Sequence, residues 1–176
     1  MKKLGYIILV ALSITACNPE TKSTDATKVK QVNSTAREVP SFFEISVTQN
    51  VKWKESSVFS YEGMELRGTE GKIGILSVPW KAGVRNKYMW HFFGNNIPTG
   101  QLTVVAVKKG TNEVRKVLLI PDSDKQEWTS GRGGIPASSQ NHSDLPAEMV
   151  LPSKGLWVLN AYIGGELFGQ IVVDVQ

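Results

Sequence analysis

Hydrophobic and polar positions alternate most cleanly at the C-terminal end. In GLWVLNAYIGGELFGQIVVDV (155–175), Trp157, Leu159, Ala161 and Ile163 fall on one side of an extended chain, and Val158, Asn160 and Tyr162 on the other. Gly164-Gly165 supplies a turn pair that tolerates positive φ, as a tight hairpin demands. Beyond it, Leu167, Gly169, Ile171, Val173 and Val175 share one side, and Gln170 and Asp174 the other. The pattern predicts a β-hairpin with Trp157 in the core.

The middle of the chain reads the same way. KYMWHFF (87–93) places Met89, His91 and Phe93 opposite Tyr88, Trp90 and Phe92. GNNIPTG then reads as a loop, and 101–109 as a strand with Leu102, Val104 and Ala106 on one face. These two strands are expected to form a second hairpin. GTNE turns the chain into a further strand over 114–120. Other candidates are 42–48, 51–53, 63–67, 72–78 and 147–151. From Ser41 onward there is little helical periodicity, and Gly, Pro and Asn punctuate short β-branched and aromatic runs. The expectation is an all-β fold, an antiparallel immunoglobulin-like β-sandwich of roughly nine or ten strands. The absence of an internal repeat argues against a propeller or solenoid. Residues 121–146 read as one long loop, of the kind that is functional or mobile.

The first forty residues break this pattern. MKKLGYIILVALSITAC has a basic head, a short apolar stretch and small residues, the layout of a secretory signal. Its apolar stretch is about half of what a membrane-spanning helix needs. Ile14-Thr15-Ala16-Cys17 resembles the lipobox of bacterial lipoprotein signals. That resemblance implies a diacylglyceryl group on the Cys17 thiol, cleavage just before it, and Cys17 as the mature N-terminus. Two acyl chains on one residue anchor stably where a single chain does not. NPETKSTDATKVKQVNSTAREVP (18–40) has no aromatic residue and too little apolar surface to offset its ordering entropy. The expected organisation is a signal peptide over 1–16, lipidated Cys17 and a flexible tether over 17–40, and one sandwich domain over 41–176. The protein would then be exported and held on the outer face of the bacterial cell membrane.

Composition narrows the picture. Cys17 is the only cysteine, so no intrachain disulfide can form and the core alone must hold the fold. The formal charge is +4, and losing Lys2 and Lys3 with the signal lowers it to +2. The remaining Lys and Arg are scattered, without the basic block that marks nucleic-acid binding.

Taken together, ITAC, GKIGIL (71–76), KYMWHFFG (87–94) and GLWVLNAYIGGELFG (155–169) resemble the uncharacterised YhfM-like lipoproteins of bacilli. The resemblance covers most of 60–176. It implies a cell-surface lipoprotein with a β-sandwich, carries no assigned activity, and assigns no site residue beyond Cys17.

Few residues suggest chemistry. His91 sits among aromatics in a strand, and His142 lies in the long loop. Zinc sites use three or four ligands, usually with a closely spaced pair, and two histidines about fifty residues apart give no such pattern. No metal or cofactor is expected. Ser139, His142 and Asp144 share one polar loop, with nothing to supply a rigid oxyanion hole. No G-x-S-x-G or S-x-x-K is present. GRGG (131–134) lacks the Lys-Ser/Thr of a P-loop and reads as a flexible loop tip. Asp122, Asp124 and Glu127 read as a solvated acidic turn rather than a calcium loop, since the EF-hand Gly and Glu are missing. No enzyme is expected.

The aromatic residues remain. Trp157 and one of Trp90 or Trp53 belong to the core. Trp80, Trp128 and Arg132 are the candidate ligand-binding residues, because exposed tryptophans stack on sugars or fill a partner's pocket. The expected role is a non-enzymatic surface module that binds an envelope protein or component. A cell-wall polymer binder and a proteinase-inhibitor-like module using 121–146 are the alternatives.

Overall fold

The computed structural model describes residues 39–135 and 141–176. The expected signal peptide, Cys17 and nearly all of the expected tether lie outside the described residues, as does Ser139. Residues 36–176 form one compact unit. Its described residues hold a 3₁₀ turn, Ile45–Thr48, and twelve strands. The strands are β1 (Val58–Tyr61), β2 (Met64–Thr69), β3 (Ile73–Leu76), β4 (Asn86–Phe93), β5 (Gly100–Lys108) and β6 (Val114–Lys116). β7 (Leu118–Leu119), β8 (Gln126–Glu127), β9 (Thr129–Ile135), β10 (His142–Met149), β11 (Gly155–Ile163) and β12 (Glu166–Val175) complete them.

Two antiparallel sheets result. One has seven strands in the order β1-β2-β3-β4-β10-β7-β8. The other runs β12-β11-β5-β6, with β9 pairing the remaining part of β5. Between them lies the core, in which Trp90, Phe92, Ile73 and Ile75 of the first sheet meet Trp157, Leu159, Ile171 and Val173 of the second. Each is fully buried. Burying one such side chain contributes about 1.5–3 kcal/mol.

The C-terminal hairpin forms as its alternation predicts. Gly164 and Gly165 both take positive φ, 59° and 91°, which a two-residue hairpin turn requires. Trp157, Leu159, Ala161 and Ile163 all enter the core. One position departs from the pattern. Ala161 pairs with Gly169 and Tyr162 with Leu167, so Phe168 is an extra residue in a bulge. The bulge turns Phe168 edge-on to Phe92 at 5.5 Å and leaves Leu167 exposed. Gly169 is required by the packing, because a Cβ there would lie 2.8 Å from Ile73 Cγ2.

The second hairpin does not form. β4 has β3 on one edge and β10 on the other, whereas β5 belongs to the opposite sheet. Residues 94–99 therefore cross between the layers. The strand expected over 114–120 divides at buried Val117: β6 pairs β5, and β7 pairs β10 and β8. A strand that switches sheets at the corner of a sandwich looks continuous in sequence.

The strands expected over 42–48 and 51–53 are replaced by a turn and irregular chain. This segment is laid over the outer face of the five-stranded sheet. Phe43, Val51 and Trp53 pack on Val107, Val158 and Val172 there. Phe42 tilts against Tyr162 at 5.1 Å. Its apolar residues thus serve as plugs on a sheet face, where no ladder is needed. Part of the expected long loop, in turn, is strand: β8, β9 and most of β10 lie inside it, and GRGG belongs to β9.

Candidate functional site

The three residues proposed for ligand contact have different fates. Trp80 is 2% exposed and stacks on Tyr88, with ring centroids 4.0 Å apart and planes 10° from parallel. Its backbone bridges Val175 and accepts a hydrogen bond from Gln176 N at 3.0 Å. The expected exposure of Trp80 is thereby corrected, because the C-terminal strand ties the loop down and turns the indole inward. Trp128 is half-buried before β9, with its carbonyl bound to Val104 N at 2.9 Å and the Lys116 ammonium 5.6 Å from its ring. Arg132 is exposed on β9 and reaches Glu148 Oε1 at 3.4 Å. The acidic turn is engaged with protein partners: Asp124 pairs with Arg85 at 3.2 Å, and Glu127 accepts from Gly131 N at 2.9 Å.

The two histidines converge. β4 and β10 pair in a register that sets His91 opposite Asp144 and Phe93 opposite His142. Side chains alternate along a strand, so all four project from the outer face of the seven-stranded sheet. His91 Nδ1 lies 3.1 Å from His142 Nε2. One ligating atom each from His91, His142 and Asp144 can be chosen so that all lie within 4.8 Å of one another. The separation of about fifty residues that argued against a shared site is closed by one strand pairing.

Aromatic rings wall the cluster. The Tyr61 ring sits 5.0 Å from His142 and 4.8 Å from Phe93, and Phe93 is 5.0 Å from His142. Tyr61 closes β1, and the tight turn after it places Glu62 and Gly63 at φ 49° and 78°. His91 is buried, Asp144 exposed and His142 intermediate. Burial holds the His91 imidazole below the usual histidine range; His142 beside it adds to this, while Asp144 and Glu62 act the other way. The Tyr61 phenol is raised by desolvation first, then by its hydrogen bond to Glu62 and the charges of Glu62 and Asp144. Two imidazoles beside an Asp side chain offer nitrogen and oxygen atoms that can share a proton or ligate a cation. Neither Tyr61 nor Glu62 stood out in the sequence. The available signal was the alternating Val58-Phe59-Ser60-Tyr61 run ahead of Glu62-Gly63.

Elsewhere, a recess of about 340 Å³ lies between the N-terminal segment, β2 and β12 and is lined by Lys52, Glu55, Ser56, Thr69 and Gln170 among others. It contains no comparable convergence of ligating groups among its lining residues.

A search of curated proteins gives no match. Among solved structures, the chain is similar to a crystal structure described as "a Putative Lipoprotein from Bacillus anthracis", at 36% identity and a TM-score of 0.73. The match covers 78% of this chain and 96% of that one. A family model described as a domain of unknown function, DUF4871, matches residues 42–173 and so takes in both sheets together with the His91–His142–Asp144 face. On that span the chain belongs to the DUF4871 family.

Proposed function

We propose that the protein is an exported lipoprotein, held on the outer face of the bacterial cell membrane through Cys17, whose sandwich is a non-enzymatic binding module for an envelope protein or component. ITAC and the similarity to the Bacillus anthracis protein support the anchor. A closer kinship with YhfM-like lipoproteins, and an immunoglobulin-like reading of the topology, belong to the same proposal.

The binding half rests on one observation. The outer face of the five-stranded sheet is occupied by the chain's own N-terminal segment, whereas the outer face of the seven-stranded sheet presents Tyr61, Phe93, His142 and Asp144 beside the turn at Glu62. Aromatic rings next to polar groups are the usual anchors of a recognition surface. The wall-polymer alternative loses support with the burial of Trp80, which removes one of its three contact residues.

A photo-crosslinking residue at Glu62, in the full chain in intact cells, should capture a discrete envelope component. The same residue at Asn112, in the turn after β5, should not. Equal capture at both positions, or none at either, would overturn the reading.

A further inference from the structure

We infer that His91, His142 and Asp144 form a binding site for one divalent transition-metal ion of the zinc type, open to solvent on the outer face of the seven-stranded sheet. The inference stands apart from partner binding, because an ion can bind whether or not a partner does.

The geometry carries it. Two nitrogens ligating one zinc at 2.0–2.1 Å in a tetrahedron lie about 3.3 Å apart. His91 Nδ1 and His142 Nε2 are hydrogen-bonded at 3.1 Å, one ring donating to the other. That spacing is close to the one two corners of a coordination shell require, and a bound ion would take the place of the proton between them. The third ligand is the looser one, within 4.8 Å of the others. Asp144 is exposed, so rotation of its short side chain can bring an oxygen in without moving the sheet. Nitrogen, nitrogen and carboxylate oxygen suit zinc, nickel and copper better than calcium or magnesium, which favour oxygen alone. Three protein ligands leave a fourth position for water or an incoming group.

A second observation concerns His91 itself. It is 3% exposed, and its Nε2 is buried without a hydrogen-bond partner among the described residues. Its ring is stacked on Phe93 and tilted against Tyr61. A phenylalanine would suit those neighbours and bury no orphaned nitrogen. The property a phenylalanine lacks is Nδ1, and that atom faces His142. The sheet locks the arrangement, because both histidines and the aspartate sit on paired strands rather than on loops. Sites built on rigid elements hold ligand geometry more closely than loop sites. Tyr61 and Phe93 flank the His142 ring and restrict its rotation.

The test uses the untagged full chain in detergent, carrying Cys17→Ser so that no thiol competes. Zinc is titrated calorimetrically, and cobalt is followed by its visible absorption. The expected result is one equivalent of each metal, with cobalt bands of four-coordinate nitrogen/oxygen type. Loss of an outer-shell partner typically costs 10–100-fold in affinity, so loss of the ligand itself in His142→Ala should cost more than about 100-fold. Asp144→Asn should weaken binding by at least about 10-fold with near-ultraviolet dichroism unchanged. Because Asp144 is exposed, this variant keeps the test decisive if His142→Ala folds poorly. Absence of saturable binding, or binding undiminished in Asp144→Asn and in folded His142→Ala, would overturn the inference.

Discussion

Gln170 Nε2 donates to Asn160 Oδ1 at 2.7 Å and also reaches the Val47 carbonyl at 3.0 Å. Asn160 Nδ2 in turn donates to the Val105 carbonyl at 2.7 Å, from a side chain that is fully buried. A polar line thus runs from β5 through β11 and β12 into the N-terminal segment. It explains how an asparagine can be fully buried in the sheet: its amide is satisfied on both sides. Asn160→Ala removes both bonds and leaves the Gln170 amide short of a partner. It should lower unfolding free energy by about 1–3 kcal/mol. The urea midpoint should fall with no change in slope. Gln170→Ala should cost less and speed amide exchange around Val47.

Trp80 and Trp128 should separate in a stability assay. Truncating a buried tryptophan to alanine typically costs about 3–5 kcal/mol, and the Trp80 stack on Tyr88 places it in that class. Trp128 is half-buried, and its contact with Lys116 is of the kind worth about 0.5–1 kcal/mol at exposed sites. Urea denaturation of Trp80→Ala and Trp128→Ala should reproduce this order. A Trp80→Ala chain with an unshifted midpoint would return that indole to the surface.

Tyr88 makes the fold sensitive to alkali. Burial pushes its phenol up to about 12, with the hydrogen bond to Asn86 acting the other way. An unfolded tyrosine titrates near 10. The folded value is the higher one, so the stabilisation is complete below about pH 10 and is lost as pH rises through about 12. The difference amounts to about 3 kcal/mol. Tyr162 and Tyr61 shift in the same direction. The unfolding free energy of the wild-type chain should fall across that window. Tyr88→Phe, which keeps the ring on Trp80, should show a shallower fall.

Where alternation met a single buried face, the sequence was readable. Trp157, Leu159 and Ala161 entered the core as their period of two required. Two kinds of information were not local. Pairing partners are chosen in three dimensions, so 87–93 and 101–109 looked like a hairpin although β4 and β5 lie in different sheets. Nor does alternation say what covers the outer face of a sheet, and the segment from Phe42 to Trp53 became a cover rather than strands. The His91–His142–Asp144 cluster was hidden for the first reason. His142 and Asp144 stand two apart, as do His91 and Phe93, which places each pair on one face of its strand. Only the β4–β10 register makes that face common.

Glu148 decides how firmly the region between Pro121 and Ile135 is held. Its carboxylate takes Arg85 Nε at 2.8 Å and Arg132 at 3.4 Å, while Arg85 also pairs with Asp124 at 3.2 Å. The chain Asp124–Arg85–Glu148–Arg132 links the turn before β8, the approach to β4, β10 and β9. β9 itself has few ladder partners, pairing β5 only at Gly100, Gln101 and Thr103. Exposed ion pairs contribute little to global stability, usually below about 1 kcal/mol each, and are screened by salt. Their effect here should therefore be local. Glu148→Gln should leave the urea midpoint almost unchanged yet raise amide exchange in 126–135, with the C-terminal hairpin as an unchanged internal reference. High salt should reproduce that pattern in the wild-type chain and add little in the variant. A fall in global stability of several kcal/mol would instead make Glu148 part of the core's support.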